Sequence, residues 1–179
     1  MKTKATANVR QRILETAARL FYQQGYPLTG INQLIAEADV AKASLYQHFR
    51  TKDEILLAYL QQASQQWFQQ VAEATASGTT PKAKVLAVFD MLHDFLVTEN
   101  FRGCNFQNAL LQLPPEETQV RAFIQEHKVR IGRVFNEILN DTALAEEMAL
   151  LFEGALVSSQ TIGNPAPVAT ARRVTERLL

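Results

Sequence analysis

The chain has 179 residues, of which 47% are hydrophobic, and this proportion suffices to bury a core and excludes a wholly disordered protein. The net charge of zero conceals an uneven distribution: the first 52 residues carry eight basic and three acidic side chains, a balance of +5, and the remainder carries a balance of −5. This asymmetry indicates that a polyanion would meet the N-terminal part of the chain.

Apolar residues recur at helical spacing along nearly the whole chain, and alternation of the strand type is not sustained, so the predicted fold class is all-α. A first helix is predicted over residues 8–24, because its apolar residues share one face and Gly25 follows as a C-terminal stop. Those apolar residues are Val9, Ile13, Ala17, Leu20 and Phe21.

Two short helices and a tight turn are predicted next. Thr29 is expected to cap the second helix, which continues through Ala38, because a threonine hydroxyl accepts a hydrogen bond from a free amide of the first turn. Asp39 and Val40 then form the turn, and residues 41–49 form the third helix.

Thr51 and Glu54 form a predicted capping box that starts a long fourth helix ending at about residue 76. Residues 77–81 are the clearest break in the chain. We expect Gly103 to open a later short helix, and Pro115 to occupy the first position of the helix after it. The later helices are predicted over residues 81–97, 103–112, 115–140, 142–161 and 166–178.

Residues 29–52 have the outline of a helix-turn-helix, a motif that places its second helix in the major groove of DNA. Leu45 and Phe49, four residues apart, are expected to pack inward, while the outward face combines small residues, hydrogen-bond donors and cations. The pattern alone also fits a short helix pair packed inside an ordinary bundle. The predicted DNA-binding residues are Thr29, Lys42, Ala43, Ser44, Tyr46, Gln47, His48 and Lys52.

Roles for these residues follow from their chemistry. Lys42 and Lys52 are assigned mainly to phosphates, and Tyr46 to phosphate or sugar. Base edges are assigned to Ser44, Gln47 and His48. Thr29 and the first amides of the second helix are expected to bind another phosphate, because a helix N-terminus has free donors. The tail with Lys2, Lys4 and Arg10 is either a further contact or a solvated terminus.

The segment VAKASLYQHFRTKDEILLAYL, preceded by TGINQLIAEAD and ILETAARLFYQQGY, resembles the DNA-binding domain of TetR-family transcriptional regulators over about residues 9–60. The resemblance implies a helix-turn-helix DNA-binding domain over residues 1–52 and a helical regulatory and dimerisation domain over residues 53–179. The implied function is a transcriptional regulator, a repressor that an unidentified small-molecule effector releases from a palindromic double-stranded operator.

Two positions depart from the usual TetR pattern. Asp39 stands where the family commonly has glycine in the turn, and Ala41 stands where a serine commonly caps the third helix. Aspartate tolerates a left-handed backbone better than most residues, so the turn is expected to form. The missing cap is expected to cost about 1 kcal/mol of local stability unless Asp39 supplies the oxygen.

The implied regulatory domain contains aromatic and polar residues that fit a mostly apolar effector pocket, although each also fits an ordinary core or surface position. The candidate effector-binding residues are Trp67, Phe68, Phe89, His93, Cys104, Phe106, Gln107, Asn108, Phe123 and His127. Cys104 is the chain's single cysteine and is expected to be either a small buried hydrophobe or a reactive thiol. A chain with one cysteine and without a membrane span or secretory leader is expected to be cytoplasmic.

A homodimer is expected because one recognition helix makes few base contacts and a two-fold operator matches a two-fold protein. The helix near residues 143–161 and the last helix are expected to supply its interface, although an intramolecular face would look the same. The candidate interface residues are Leu151, Phe152, Ala155, Leu156, Val174 and Leu178.

Signatures of catalysis, of metal binding and of a phosphate-binding loop are lacking in the sequence, so we expect neither an enzyme nor a cofactor. The alternative interpretations are a helical adaptor protein without DNA binding and a helical enzyme. Clustered positive charge argues against the first, and the lack of a catalytic set argues against the second.

Overall fold

The computed structural model describes residues 8–179, which form nine α-helices without a strand, so the all-α prediction is confirmed. Lys2 and Lys4 of the predicted basic tail lie outside the described residues. The helices are α1 (Val9–Gln23), α2 (Ile31–Ala38), α3 (Lys42–His48), α4 (Lys52–Ala76), α5 (Pro81–Thr98), α6 (Asn105–Gln112), α7 (Thr118–Leu139), α8 (Thr142–Ile162) and α9 (Ala166–Leu178).

Helix α1 has the predicted bounds within one residue at each end. The Asn8 side chain caps it by accepting a hydrogen bond from the Arg10 amide at 3.2 Å. Gly25 follows with a φ of +96°, a left-handed conformation that favours glycine. Its predicted apolar face is buried at Ile13 and Phe21, which anchors α1 in the core.

The predicted capping role of Thr29 is wrong. Gly30 occupies the N-cap position of α2, and no side chain caps the helix there. Thr29 is fully buried. Its hydroxyl donates to the Gly25 carbonyl at 2.8 Å, because the chain between α1 and α2 turns back on itself. Thr29 therefore stabilises the loop before α2 and leaves the first amides of that helix uncapped.

The start of α4 is set by the predicted cap. The Glu54 amide donates to the Thr51 hydroxyl at 3.1 Å, as expected for the forward half of a capping box. The Glu54 carboxylate, however, accepts from the Arg50 amide at 2.7 Å rather than from Thr51. The loop before α4 is thus fixed by both groups.

Two predicted helix starts are wrong. Gly103 does not open α6, which begins two residues later, because Gly103 has a left-handed φ of +86°. Pro115 does not open α7, because residues 115–117 form a turn in which the Thr118 amide donates to the Glu116 carbonyl at 2.8 Å. Arg121 reaches back to the Pro114 carbonyl at 3.0 Å and so helps to hold this turn.

The structure divides into two compact units. Among the described residues, the N-terminal unit contains residues 8–63 and 105–124, and the C-terminal unit contains residues 64–104 and 125–179. Helix α6 therefore belongs to the same unit as α1, α2 and α3. The predicted domain boundary between residues 52 and 53 stays a prediction.

Helices α5, α8 and α9 pack against one another in the C-terminal unit. Arg172 of α9 binds Asp90 of α5 through two hydrogen bonds, Nε to Oδ1 at 2.6 Å and Nη2 to Oδ2 at 3.2 Å. This pair of bonds fixes α9 against α5 with the planar geometry that arginine and carboxylate favour.

Candidate DNA-binding surface and regulatory residues

Helix α3 separates an apolar face from a polar one within seven residues. Leu45 is fully buried and Phe49, which ends the helix, is 4% exposed. The polar face of α3, as we call it, is exposed apart from the half-buried Ser44. It consists of Lys42, Ala43, Ser44, Tyr46, Gln47 and His48. Six of the eight predicted DNA-binding residues therefore belong to α3, and five of these six are exposed.

The turn between α2 and α3 keeps its shape although it lacks glycine. Asp39 adopts φ 53° and ψ 53°, the left-handed conformation expected of it. Arg12 of α1 donates to the Ala38 carbonyl from Nε at 3.0 Å and from Nη2 at 2.7 Å, and it also binds the Asp39 carbonyl. The Arg12 guanidinium thus neutralises the carbonyl end of α2 and fixes the turn that carries α3.

The N-terminus of α3 has no side-chain cap. Ala41 occupies the cap position, and the Asp39 side chain, which is 95% exposed, instead forms an ion pair with Arg12 at 3.3 Å. The first amides of α3 therefore remain available to an external acceptor.

Thr29 lies in the loop between α1 and α2, and Lys52, the first residue of α4, binds that loop, so neither residue is on the polar face of α3. The Lys52 ammonium donates to the Tyr26 carbonyl at 3.0 Å and to the Thr29 carbonyl at 3.1 Å, and it lies 4.1 Å from the centre of the Tyr26 ring. Burial lowers the pKa of Lys52 below its usual range. The Lys52 side chain is therefore bound to protein carbonyls, and its predicted phosphate contact remains untested.

Arg19 of α1 is also engaged within the protein. It forms an ion pair with Glu37 of α2 at 2.5 Å. The hydrogen bond from Arg19, together with one from Gln33, lowers the pKa of the Glu37 carboxyl. Arg12 and Arg19 thus both tie α1 to α2.

Comparison with known proteins identifies this arrangement of helices. The family model for bacterial regulatory proteins of the TetR family matches residues 13–59. A solved TetR-family transcriptional regulator from Streptomyces coelicolor is 30% identical, with 96% of this chain and 92% of that chain aligned and a TM-score of 0.83. The chain belongs to the TetR family of transcriptional regulators. Proteins of this family regulate transcription and are not enzymes.

Two further comparisons agree with this family. The transcriptional regulator LmrA from Bacillus subtilis is 28% identical over 169 residues, which cover 89% of this chain and 90% of LmrA. A variant of the TetR-family regulator CifR, solved with a 26-base-pair operator, shares the fold at 18% identity and a TM-score of 0.82, with 99% and 98% of the two chains aligned.

Four of the predicted effector-binding residues lie close together in the C-terminal unit of the regulator. The rings of Trp67 and Phe68 are 4.8 Å apart, and the His127 ring lies 5.8 Å from Trp67 and 5.3 Å from Phe68. Phe152 joins Trp67 to Phe89, with 6.0 Å between ring centres on each side. We call these five residues the aromatic cluster.

His127 is the polar member of the aromatic cluster. It is 3% exposed, and its Nδ1 lies 2.9 Å from the Ser64 hydroxyl. Burial, together with the neighbouring charges of Lys128 and Arg130, lowers the pKa of His127 to about 3. The imidazole is therefore neutral at physiological pH, and it can donate and accept hydrogen bonds without adding a charge to the aromatic cluster.

The other predicted effector residues are distributed over both compact units. His93 is at the surface of α5, where its Nδ1 lies 3.1 Å from Asp94 Oδ1. Four residues belong to the N-terminal unit: Phe106, Gln107, Asn108 and Phe123. Of these, Asn108 lines a cavity of about 10 Å³ next to Tyr26 and Gln112.

Cys104 lies beside a partly buried ion pair in the C-terminal unit. The thiol is 9% exposed and lies 3.5 Å from the Lys128 ammonium, which binds both carboxylate oxygens of Glu153 at 2.7 and 2.8 Å. Burial lowers the pKa of Lys128, but Cys104 and Glu153 outweigh it, so the net shift is upward. Lys128 and Glu153 were not singled out in the sequence, because charged residues on two different helices give no spacing signal.

Helices α8 and α9 form an open apolar groove of about 860 Å³ in the C-terminal unit. Four of the predicted interface residues line it: Leu151, Ala155, Val174 and Leu178. The other two do not. Phe152 and Leu156 are 2% and 3% exposed within a single chain, because they lie on the inward side of α8, and we withdraw them from the interface set. Leu150 and Ile162, which are not among the residues predicted from the sequence, also line the groove and are 75% and 55% exposed.

Metal binding and membrane insertion find no structural support in residues 8–179. Clusters of three or more His, Cys, Asp or Glu side chains suited to a metal ion do not occur among these residues. None of their helices has the length and apolar character needed to cross a bilayer.

Proposed function

We propose that this TetR-family regulator is a homodimeric repressor that reads a palindromic operator with the polar face of α3 and leaves it when a small molecule binds. The observation that carries the DNA-binding part is the polar face itself, with Lys42, Tyr46 and Gln47 exposed and Leu45 buried behind them. Arg12 supports it by fixing the turn before α3. The predicted cytoplasmic location stays a prediction.

The proposed contacts divide into two kinds. Lys42 and the uncapped amides of α2 and α3 are suited to phosphates, which position the protein. Ser44 and Gln47 are suited to base edges, which specify the sequence. Because the Thr29 hydroxyl and the Lys52 ammonium bind main-chain carbonyls, we propose that these two residues act by holding the loop before α2.

The experiment for DNA recognition begins with selection of bound sequences from a random double-stranded library by the wild-type chain. Replacing Ser44 and Gln47 together with alanine is expected to lower affinity for the selected site by about 10-fold or more, while affinity for unrelated DNA changes little. The matched control is Gln70→Ala, at an exposed position of α4. A double variant that keeps the wild-type preference for the selected site over unrelated DNA would show that Ser44 and Gln47 do not specify the sequence.

A DNA-free adaptor, the alternative interpretation, makes a different prediction for the same library. Such a protein would yield no enriched sequence and no binding that weakens steeply with salt. The described cations on and next to α3, Lys42 and Arg50, are both exposed, which favours the DNA-binding interpretation.

The dimer is proposed from the groove between α8 and α9. An open apolar surface of this size on one chain, with Leu150 and Ile162 more than half exposed, fits a second copy of the same helices in a two-fold arrangement. Gly154 lies in the groove, and an added Cβ there would meet nothing within 4 Å in the single chain.

Gly154 therefore allows a test that spares the fold of the monomer. Gly154→Lys is expected to convert the dimer to a folded monomer, because a long cation would lie between the two apolar faces. Gly132→Lys in α7 is the matched control, since an added Cβ there also meets nothing within 4 Å. Light scattering after size exclusion measures the mass, and a Gly154→Lys dimer as stable as the control would place the interface elsewhere.

Repression and release are tested on the selected operator. A repressor lowers transcription from a template in which the operator overlaps the promoter, whereas an activator raises it. The genes next to the selected site suggest candidate effectors. An effector that releases the operator must itself bind more weakly to the operator complex, by the same factor, because the two equilibria are linked.

A further inference from the structure

We propose that Gln112 of α6 is a positioning residue for DNA binding. Its side-chain oxygen fixes the α1–α2 loop, which leads into α2 and binds the Lys52 ammonium. The inference rests on the proposed DNA-binding surface and adds a residue far outside the predicted DNA-binding domain. Helix α6 and the helix-turn-helix lie in the same compact unit, so the contact is internal to that unit.

Gln112 makes a direct hydrogen bond to the loop. Its Oε1 accepts from the Tyr26 amide at 2.8 Å, across 86 residues of sequence. The preceding residue is shaped to admit this side chain: Gly25 has a φ of +96°, and a Cβ built there would lie 3.0 Å from Oε1 and 3.3 Å from Nε2 of Gln112. The backbone of Gly25 and Tyr26 therefore lies directly against the glutamine amide group.

Tyr26 passes this constraint on to Lys52. Its carbonyl accepts from the Lys52 ammonium at 3.0 Å, its ring faces the same ammonium at 4.1 Å, and its hydroxyl donates to Asp53. Three separate groups of one residue thus hold the first turn of α4. With only 9% of Tyr26 exposed, its amide depends on Gln112 for an acceptor.

Lys52 in turn reaches Thr29, next to the start of α2. Its ammonium donates to the Thr29 carbonyl at 3.1 Å, and the cap residue Gly30 follows immediately. The uncapped amides at the start of α2, which we assign to a phosphate, therefore follow a loop whose position is fixed through Tyr26 by Gln112. Removing the acceptor oxygen leaves the buried Tyr26 amide unsatisfied, and the loop is expected to shift toward water.

The test compares three variants of the full chain. Gln112→Met keeps the length of the side chain but removes the acceptor, Gln112→Glu keeps an acceptor oxygen, and Gln119→Met makes the same chemical change at an exposed position of α7. Gln112→Met is expected to weaken binding to the selected operator by about 10-fold. Gln112→Glu and Gln119→Met are expected to stay within about 3-fold of the wild type. Circular dichroism establishes that each variant is folded.

Hydrogen exchange at the Tyr26 amide gives a second readout, which is measured without DNA. The amide is expected to exchange at least 10-fold faster in Gln112→Met and at the wild-type rate in Gln119→Met. An unchanged Tyr26 exchange rate in Gln112→Met overturns the proposal, and so does unchanged operator affinity. Equal weakening by Gln112→Glu and Gln112→Met also overturns it. If the wild type itself selects no DNA, the proposed DNA-binding surface fails and the positioning role fails with it.

Discussion

Replacing Lys42 with glutamine tests directly whether the polar face of α3 meets the DNA backbone. Lys42 is the first residue of α3 and is exposed. Each phosphate that a cation neutralises contributes about 0.9 to the slope of log affinity against log salt concentration. A dimer has two copies, so Lys42→Gln is expected to reduce the slope by about 1.8, whereas a single bound chain would lose about 0.9.

The change in slope predicts a measurable difference in affinity. Between 50 and 200 mM salt, a slope difference of about 1.8 changes the ratio of wild-type to variant affinity by roughly 12-fold. Fluorescence anisotropy with the selected operator, titrated at four salt concentrations, measures both quantities. The ratio is expected to be largest at low salt, where the lost phosphate contacts matter most.

The control for Lys42→Gln is Lys84→Gln in α5, which removes the same charge from the C-terminal unit. It is expected to leave the slope unchanged, because Lys84 is not part of the proposed DNA-binding surface. Identical slopes for both variants and the wild type would refute the assignment of Lys42 to phosphate. Equal reductions in both variants would show that net charge, rather than position, determines binding.

The remaining predictions concern stability. His127 has a folded pKa of about 3 against an ordinary 6.5, so its stabilising effect is complete above pH 6.5 and is lost as pH falls toward 3. By pH 5 the loss in the free energy of unfolding is about 2 kcal/mol. Chemical unfolding measures this loss, and the decrease should be smaller by the same amount in His127→Gln. Equal decreases in the wild type and the variant would contradict the buried neutral imidazole. Ala41→Ser is expected to cap α3 and stabilise the chain by about 1 kcal/mol, whereas Ala36→Ser inside α2 should not; thermal unfolding compares them, and an equal effect would exclude capping.

The helices were predictable where their signals are local. Asn8 caps α1, Thr51 caps α4 and Asp141 caps α8 by accepting from the Leu144 amide at 3.1 Å, so residues within three positions decide where these helices begin. The buried and exposed faces of α3 follow from the helical period alone. These features needed no knowledge of the rest of the chain.

The wrong predictions share a different cause. Thr29 resembles a cap in sequence, but its hydroxyl binds the Gly25 carbonyl in a folded loop, and that loop is held by Gln112 from a distant helix. Gly103 resembles a helix start, but the Gln160 side chain lies where its Cβ would be. In both cases a contact made by tertiary structure overrides a correct local propensity, and a single sequence contains no signal for it.

The described basic residues of the N-terminal part fall into two groups, which the total charge does not distinguish. Of the six described basic residues in the first 52, three bind oxygens of the protein itself: Arg12, Arg19 and Lys52. The other three are exposed, with Arg10 lying 5.3 Å from the Phe49 ring and the remaining two on or next to α3.

Salt dependence can separate these two groups of cations. If all six described cations of each chain met phosphates, a dimer would show a slope near −11, whereas the three exposed ones alone would give about −5. The structure favours the smaller value, because Arg12, Arg19 and Lys52 are already bound to oxygens of the protein. A slope near −11 that persists when Lys2 and Lys4 are replaced with glutamine would mean that Arg12, Arg19 and Lys52 also meet phosphates when the operator binds.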